Sequence, residues 1–136
     1  MLLALVAAGQ SGAEEEVPVG AVLRDQEGRF LAEAGNRPIA DQDPTAHAEM
    51  VVLRRAARRC GNYRLLGSHL AVSLQPCPMC HSAVLQARVA TMHSGAERKQ
   101  SVSEQDVGHF SVWDGSLFSA ESAALLRIFF DKRRHV

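Results

Sequence analysis

Aromatic side chains are scarce in this sequence: one tryptophan, one tyrosine and five phenylalanines in 136 residues. Trp113 and the phenylalanines are expected in the core, leaving no aromatic surface on which bases would stack. Cysteine is rarer still. Cys60, Cys77 and Cys80 are too few and too unevenly placed for a disulfide framework, which points to a reducing, cytoplasmic setting, with Cys60 a buried or semi-buried free thiol. No run approaches the roughly 18 apolar residues of a membrane span. The apolar start, Met1 to Ala8, has no basic flank and is followed by Glu14, Glu15 and Glu16, so it reads as a first helix, not as a signal peptide. Net charge is also absent, 15 Lys+Arg against 15 Asp+Glu, and a strongly basic nucleic-acid module is thereby excluded.

The neutral total hides a segment with no acid at all. Residues 50–96 carry six arginines and neither Asp nor Glu, whereas residues 1–49 hold nine acids and three bases. Arg54, Arg55, Arg58, Arg59 and Arg64 therefore form either a solvated helix face or a set of phosphate contacts. The length suits a single domain, 1–136, and 46% apolar with 22% charged residues is globular composition.

Leu2, Leu5 and Val6 share a helical face, weakened after Gly12. Val17 to Leu23 is a short apolar strand, Asp25 to Gly28 a turn, and Phe30 to Ala34 the returning strand of a hairpin. A loop from Gly35 to Asp43 leads to a second helix, with Asp43 as N-cap, Pro44 as first helical residue, Ala46, Met50, Leu53 and Ala57 inward, and Gly61 as stop. A third strand (His69 to Leu74), a third helix (Pro78 to Ala87) and a fourth strand (Val89 to His93) follow. After a polar loop, Glu97 to Asp106, a fifth strand begins near Val112 and Trp113. The last helix, Ser119 to Arg134, turns Ala123, Leu126, Phe129 and Phe130 inward. This order predicts an α/β fold, a mixed sheet covered by helices on both faces.

Two fragments carry chemistry: His47-Ala48-Glu49, and Pro76-Cys77-Pro78-Met79-Cys80 entering the third helix. Cysteines three apart at a helix start face one point, where free backbone N–H groups favour thiolate. Thiolates and imidazole are the preferred zinc ligands, and two of one with one of the other leave the fourth tetrahedral position open, as catalysis requires. His81 points about 100° around the helix from Cys80, away from that set. Glu49, two residues from His47, sits beside the metal without ligating it. That is the place for a carboxylate that collects the proton of a zinc-activated water, whose pKa falls from about 16 toward 7. Alone, C-x-x-C is equally a redox dithiol or half a zinc ribbon, and His-x-Glu means little. Together and in this order they match the His-x-Glu…Pro-Cys-x-x-Cys signature of the zinc deaminases.

The wider sequence resembles the bacterial tRNA-specific adenosine deaminases (the TadA type) within the cytidine/deoxycytidylate deaminase superfamily. The likeness runs through Glu16 to Leu23, Asn36-Arg37-Pro38-Ile39, Asp43 to Glu49, Asn62 to Leu65 and Glu121 to Leu126, and on to Phe129-Phe130 and Arg133-Arg134. It implies a cytidine-deaminase-like three-layer α/β/α sandwich with a mixed, mostly five-stranded sheet. It also implies a homodimer, and hydrolytic conversion of the wobble adenosine of a tRNA anticodon arm to inosine. His47, Cys77 and Cys80 would hold one zinc per chain, with Glu49 as acid and base. Asn36 and the backbone of Ala48 would hydrogen-bond the base, Leu74 and Val19 would line its pocket, and Lys132, Arg133 and Arg134 are the implied RNA contacts.

The chain departs from that family at Gln75, where Glu is usual, at His81, at Ser122 in place of cysteine, and along 97–103, where the family is rich in Gly and Ala. These positions bear on substrate choice. A deaminase of a free base or nucleoside (guanine, cytosine or a related heterocycle) is therefore the competing reading. A catalytically silent tRNA- or deaminase-binding partner is another, against which Glu49 speaks.

Overall fold

The computed structural model describes residues 1–98, 111–114 and 118–134, and 111–114 by their backbone alone. The described residues form α1 (Leu2–Ala13), β1 (Gly20–Arg24), β2 (Phe30–Gly35), α2 (Ala48–Cys60), β3 (His69–Leu74), α3 (Pro78–Gln86), β4 (Thr91–Ala96), β5 (Ser111–Asp114) and α4 (Ser119–Arg134). The sheet order is β2-β1-β3-β4-β5, with β1 antiparallel to both neighbours and β3, β4 and β5 mutually parallel. Helices α1 and α4 cover one face and α2 and α3 the other, giving the expected α/β/α layering. The larger core lies under α2, where Ala21, Leu23, Leu70 and Val72 of the sheet meet Val52 and Ala56. Full burial of a leucine such as Leu23 or Leu70 contributes roughly 1.5–3 kcal/mol.

On the opposite face the helix rests almost on bare backbone. Gly20 and Gly35 are register partners, and a Cβ on Gly20 would stand 2.0 Å from the Ala4 carbonyl oxygen. Only small side chains fit beneath, so α1 buries Ala4, Ala7, Ala8 and Ser11. The apolar spacing of Leu2, Leu5 and Val6 predicts the other face, yet Leu2 and Val6 are exposed and Leu5 is half-buried. Closeness of approach, not side-chain size, decides the orientation. Gly20→Ala is therefore expected to lower the melting temperature by about 10 °C. Overpacking typically costs about 1–3 kcal/mol, and here the obstacle is backbone that cannot rotate away. Thermal denaturation followed by circular dichroism reads this, and an unchanged melting temperature would contradict the close contact.

Helix α2 starts at Ala48, four residues after the Pro44 start that the sequence suggests. Asp43 does accept local hydrogen bonds, but from the Thr45 N–H (2.8 Å) and hydroxyl (2.7 Å), closing a turn rather than capping a helix. The later start also rotates the buried face: Val51, Val52, Leu53 and Ala56 go inward with Ala48, whereas Met50 and Ala57 are only half-buried. The far end is as expected, with Gly61 at φ 64°.

Two of the arginines of the acid-free segment have a structural task. β2 is an edge strand. Arg55 donates to the Glu33 carbonyl at 2.8 Å and Arg59 to the Leu31 carbonyl at 3.0 Å, so α2 covers part of that edge with charged side chains. Arg59 also lies over the half-exposed Phe30 ring, 5.8 Å from its centre.

β3 and α4 have the limits read from sequence, and β5 holds the expected Val112 and Trp113. β1 begins at Gly20, later than Val17, because the Val19 N–H bonds the Val17 carbonyl (2.8 Å) in a tight turn outside the ladder. β4 begins at Thr91, later than expected, because the Ser68 carbonyl takes the Ala90 N–H (2.8 Å), and it runs on to Ala96 because it stays paired with β3 as far as Leu74. In α4 the buried residue is Ser122, packed against Gly95. Ala123 and Phe130 point outward, contrary to expectation, and Leu126 and Phe129 are half-buried. Cys60, too, is exposed. Residues 99–103 of the altered stretch 97–103, the rest of the polar loop to residue 106 and the Trp113 side chain lie outside the described residues. No helix among the described residues is long and apolar enough to cross a membrane.

Candidate active site and metal centre

The functional side chains gather at one end of the sheet, where β2, β3 and β4 finish, β1 begins, and α2 and α3 start. Carboxyl ends of parallel strands are the usual ligand site of such sheets. A cavity of about 910 Å³ opens there, and Val19, Asn36, His47, Glu49, Leu74 and Arg98 are among its lining residues.

Cys77 is the N-cap of α3, with Pro78 preset for the first turn, and Cys80 follows one turn later with no exposed surface. His47 is the N-cap of α2, extended at φ −66°, ψ 154°. The two helix starts bring the His47 Nδ1 to 3.5 Å from each sulfur. A nitrogen about 2.05 Å and a sulfur about 2.3 Å from one tetrahedral centre stand about 3.5 Å apart, so both nitrogen–sulfur distances fit zinc. All three ligand atoms lie within 4.8 Å of one another, and His81, though buried, is not among them.

The electrostatics suit a cation at this point. Burial, followed by the Glu49 carboxylate, pushes the Cys80 thiol far above its usual range. Burial holds His47 below its usual value, helped by Arg98, which keeps the imidazole in the neutral form that ligates metal. Glu49 is 2% exposed, and burial raises its pKa against the opposing pull of its own backbone N–H, Cys80 and Arg98.

Asn36 connects the neighbouring elements. Its Oδ1 accepts the Ala48 N–H (2.8 Å) and so caps α2, its N–H goes to the Val19 carbonyl (3.0 Å), and its carbonyl accepts from the Ser11 hydroxyl (2.8 Å). Ala48 itself is fully buried, and its N–H is committed to Asn36. The loop beyond Asn36 is held by Glu16, a buried carboxylate whose oxygens accept the Ile39 N–H at 2.9 and 3.2 Å.

A His/Cys/Cys group placed for a metal ion at two helix starts, with a buried carboxyl in the same cavity, is accompanied by a family match. The sequence pattern of the cytidine and deoxycytidylate deaminase zinc-binding region matches residues 1–96. The chain belongs to this deaminase family. It is 42% identical over 144 aligned residues to a tRNA-specific adenosine deaminase of Agrobacterium fabrum, covering 98% of this chain and 93% of that one. Among solved structures, a protein from work on A-to-I editing by tRNA:A34 deaminases superposes with a TM-score of 0.85 at 38% identity, over 93% of this chain and 97% of the other. A guanine deaminase of Bacillus subtilis is 36% identical with a TM-score of 0.67, over 71% of this chain and 61% of that one.

In this deaminase fold Val19, Asn36 and Leu74 line the same cavity as His47 and Glu49, whereas Ala48 reaches it only through Asn36. Arg133 and Arg134 also line it. Lys132 lies instead on the neighbouring groove between α1 and α4. Arg133 is held there by Glu15 at 3.1 Å and stacks 3.9 Å from the centre of the Phe129 ring. Sequence reasoning missed Arg98, Arg127 and Phe130, which share the cavity. The signal for Phe130 is an aromatic set among Arg127, Arg133 and Arg134, read as core because its helical spacing is also that of a packed face.

Proposed function

We propose that this deaminase converts the wobble adenosine of a tRNA anticodon arm to inosine, as a homodimer in the cytoplasm and with the whole chain serving as one deaminase domain. The observation that carries the reading is the buried Glu49 carboxyl beside the His47, Cys77 and Cys80 cluster, inside a cavity whose rim bears Arg98, Arg127, Arg133 and Arg134. The near full-length likeness to tRNA-specific adenosine deaminases supports the substrate.

His47, Cys77 and Cys80 would hold one zinc per chain. When bound, zinc supplies a water acidic enough to react near neutral pH. Glu49 takes the proton of the attacking water and delivers it to N1 of the adenine. It then carries a proton to the amino group on C6, which leaves as ammonia, so that adenosine and water become inosine and ammonia. Its raised pKa suits a group that must both accept and return a proton near neutral pH. Asn36 spends its side-chain Oδ1 on the Ala48 N–H and offers its NH₂ to the base, while Val19 and Leu74 contact the ring. Arg133 and Arg134, with Lys132 beside them, face the RNA backbone. Asn36→Asp keeps the helix cap but removes the donor. It is expected to lower kcat/KM about tenfold or more with little change in melting temperature, whereas Asn36→Ala lowers both. Equal behaviour of the two variants would argue against the split role.

The deciding assay offers the protein an anticodon stem-loop with adenosine or cytidine at the wobble position, and separately free nucleosides and guanine. Inosine formed in the RNA alone is the expected result. Ammonia released only from small substrates would replace this reading with that of a free-base or nucleoside deaminase, and zinc uptake without turnover on any of them would make it a silent partner.

A further inference from the structure

β4 continues to Ala96 and carries the next residues to the rim of the cavity. There Arg98 and Gln75 are joined twice: the Gln75 Oε1 accepts the Arg98 backbone N–H at 3.1 Å, and the Gln75 carbonyl accepts the Arg98 Nε–H at 2.8 Å. The strand ends are themselves locked, because the Gln75 N–H is donated to the Ala96 carbonyl at 2.8 Å. The guanidinium is thus held at its Nε, and its two terminal NH₂ groups make no hydrogen bond among the described residues. Gln75 anchors it without cancelling its charge, and no ion pair to Arg98 occurs among the described residues. A glutamate at position 75, usual in the family this sequence resembles, would neutralise the same guanidinium.

Arg98 lines the same cavity as His47 and Glu49. A cavity of about 910 Å³ also holds far more than a purine ring, since pockets for whole drug-sized ligands span about 300–1,000 Å³. With a base directed at Glu49, the ribose and its phosphate esters occupy the remaining space toward the rim. An arginine fork anchored at its Nε, its NH₂ groups unengaged among the described residues, matches phosphate oxygens in geometry and charge.

We propose that Arg98, held by Gln75, is a specificity-determining residue that binds a phosphate ester on the ribose of the target nucleotide, so that the site favours nucleotides over free bases and nucleosides. This rests on the deaminase reading above and sharpens its substrate class. A phosphodiester of an RNA and the phosphate of a mononucleotide share the required chemistry.

The test uses zinc-loaded wild type, Arg98→Gln and Arg98→Lys. Each is titrated by fluorescence anisotropy with an anticodon stem-loop carrying either natural phosphates or a neutral methylphosphonate on the 5′ or the 3′ side of the target adenosine. Turnover on the stem-loop, adenosine 5′-monophosphate and adenosine is measured alongside. Arg98→Gln is expected to weaken stem-loop binding about tenfold, to lower the salt slope of that binding by about one, and to be partly rescued by Lys. One methylphosphonate position should weaken wild type to a similar degree and add nothing to Arg98→Gln. The stem-loop-to-adenosine ratio of kcat/KM should fall about tenfold through KM. A matching fall in the monophosphate-to-adenosine ratio says that a monoester suffices, and its absence assigns the contact to the diester. Additive losses at both methylphosphonate positions, equal losses on adenosine and stem-loop, or no binding of stem-loop or monophosphate to wild type would overturn the proposal. A stem-loop that binds with the expected coupling but is not converted would refute the tRNA deaminase reading and leave the Arg98 contact standing.

Discussion

Glu49→Gln is expected to reduce turnover by about 10²–10⁴-fold, the usual contribution of a positioned acid and base. Zinc content should remain at the wild-type level, because the carboxyl stands beside the ligand cluster without belonging to it. A second effect has the opposite sign. Burial raises the Glu49 pKa in the fold, so over the range from the ordinary carboxylate value up to the raised one the folded chain binds more protons than the unfolded chain. This group therefore withdraws stability as pH rises through that window, and above it the full cost of a buried charge is present. Glutamine has the same shape and no such cost. In chelator at pH 7 the variant should melt at a higher temperature than wild type, and the gap should narrow toward pH 4. Ammonia release, metal analysis and paired melting curves check all three statements. A variant that keeps substantial activity would remove Glu49 from the proton path, and one that melts lower would show that the buried carboxyl stabilises the empty site.

Cys80→Ala should lose zinc and turnover together. Deleting partners that merely orient ligands costs 10–100-fold in metal affinity, so deleting a ligand should exceed about 100-fold. The wild-type site adds a pH signature. Without metal the Cys80 thiol is pushed up by burial and by Glu49, and it carries its proton at neutral pH. Zinc uptake by the metal-free protein must then release that proton, and affinity must fall as pH is lowered. A zinc titration in weak buffer near pH 7 reads the release directly. Uptake without proton release, or an affinity independent of pH, would contradict thiolate ligation. Zinc should also raise the melting temperature of wild type but not of Cys80→Ala.

What was legible in the sequence follows from which interactions are local. The grouping of His47, Cys77 and Cys80 with Glu49 nearby could be read because the local spacing at two helix starts carries it, and Pro78 opens α3 and Gly61 closes α2 as expected. The limits of β3 were equally plain, since His69 to Leu74 pairs on both sides and carries an uninterrupted β pattern. The start of α2 was not, because an aspartate that caps a helix and one that closes a turn look alike. The choice is made by Asn36, twelve residues earlier, which supplies the cap from another strand end. The buried face of α1 was misread for a related reason: its neighbours are glycines of β1 and β2, and their lack of side chains rewards alanine over leucine. Gln75 and the stretch 97–103 were legible as departures that bear on substrate choice, but that Arg98 pairs with Gln75 was not, because the two lie 23 residues apart and meet only where β3 and β4 end.

Asn36 and Arg98 also differ in how freely evolution can use them. Asn36 is bound to Ser11 and Val19 by its main chain and to α2 by its side chain, through the Ala48 N–H, so any replacement that lacks an acceptor there uncaps α2. The polar contacts of the Arg98 side chain within the described chain run to Gln75 alone, at the rim. Exchanging that pair leaves the helix starts that hold the metal triad as they are. A lineage of such deaminases can therefore drift toward a new substrate through positions 75 and 98 while position 36 stays constant. The recognition of the base is inherited with the scaffold, and the choice of what the base is attached to is open to selection.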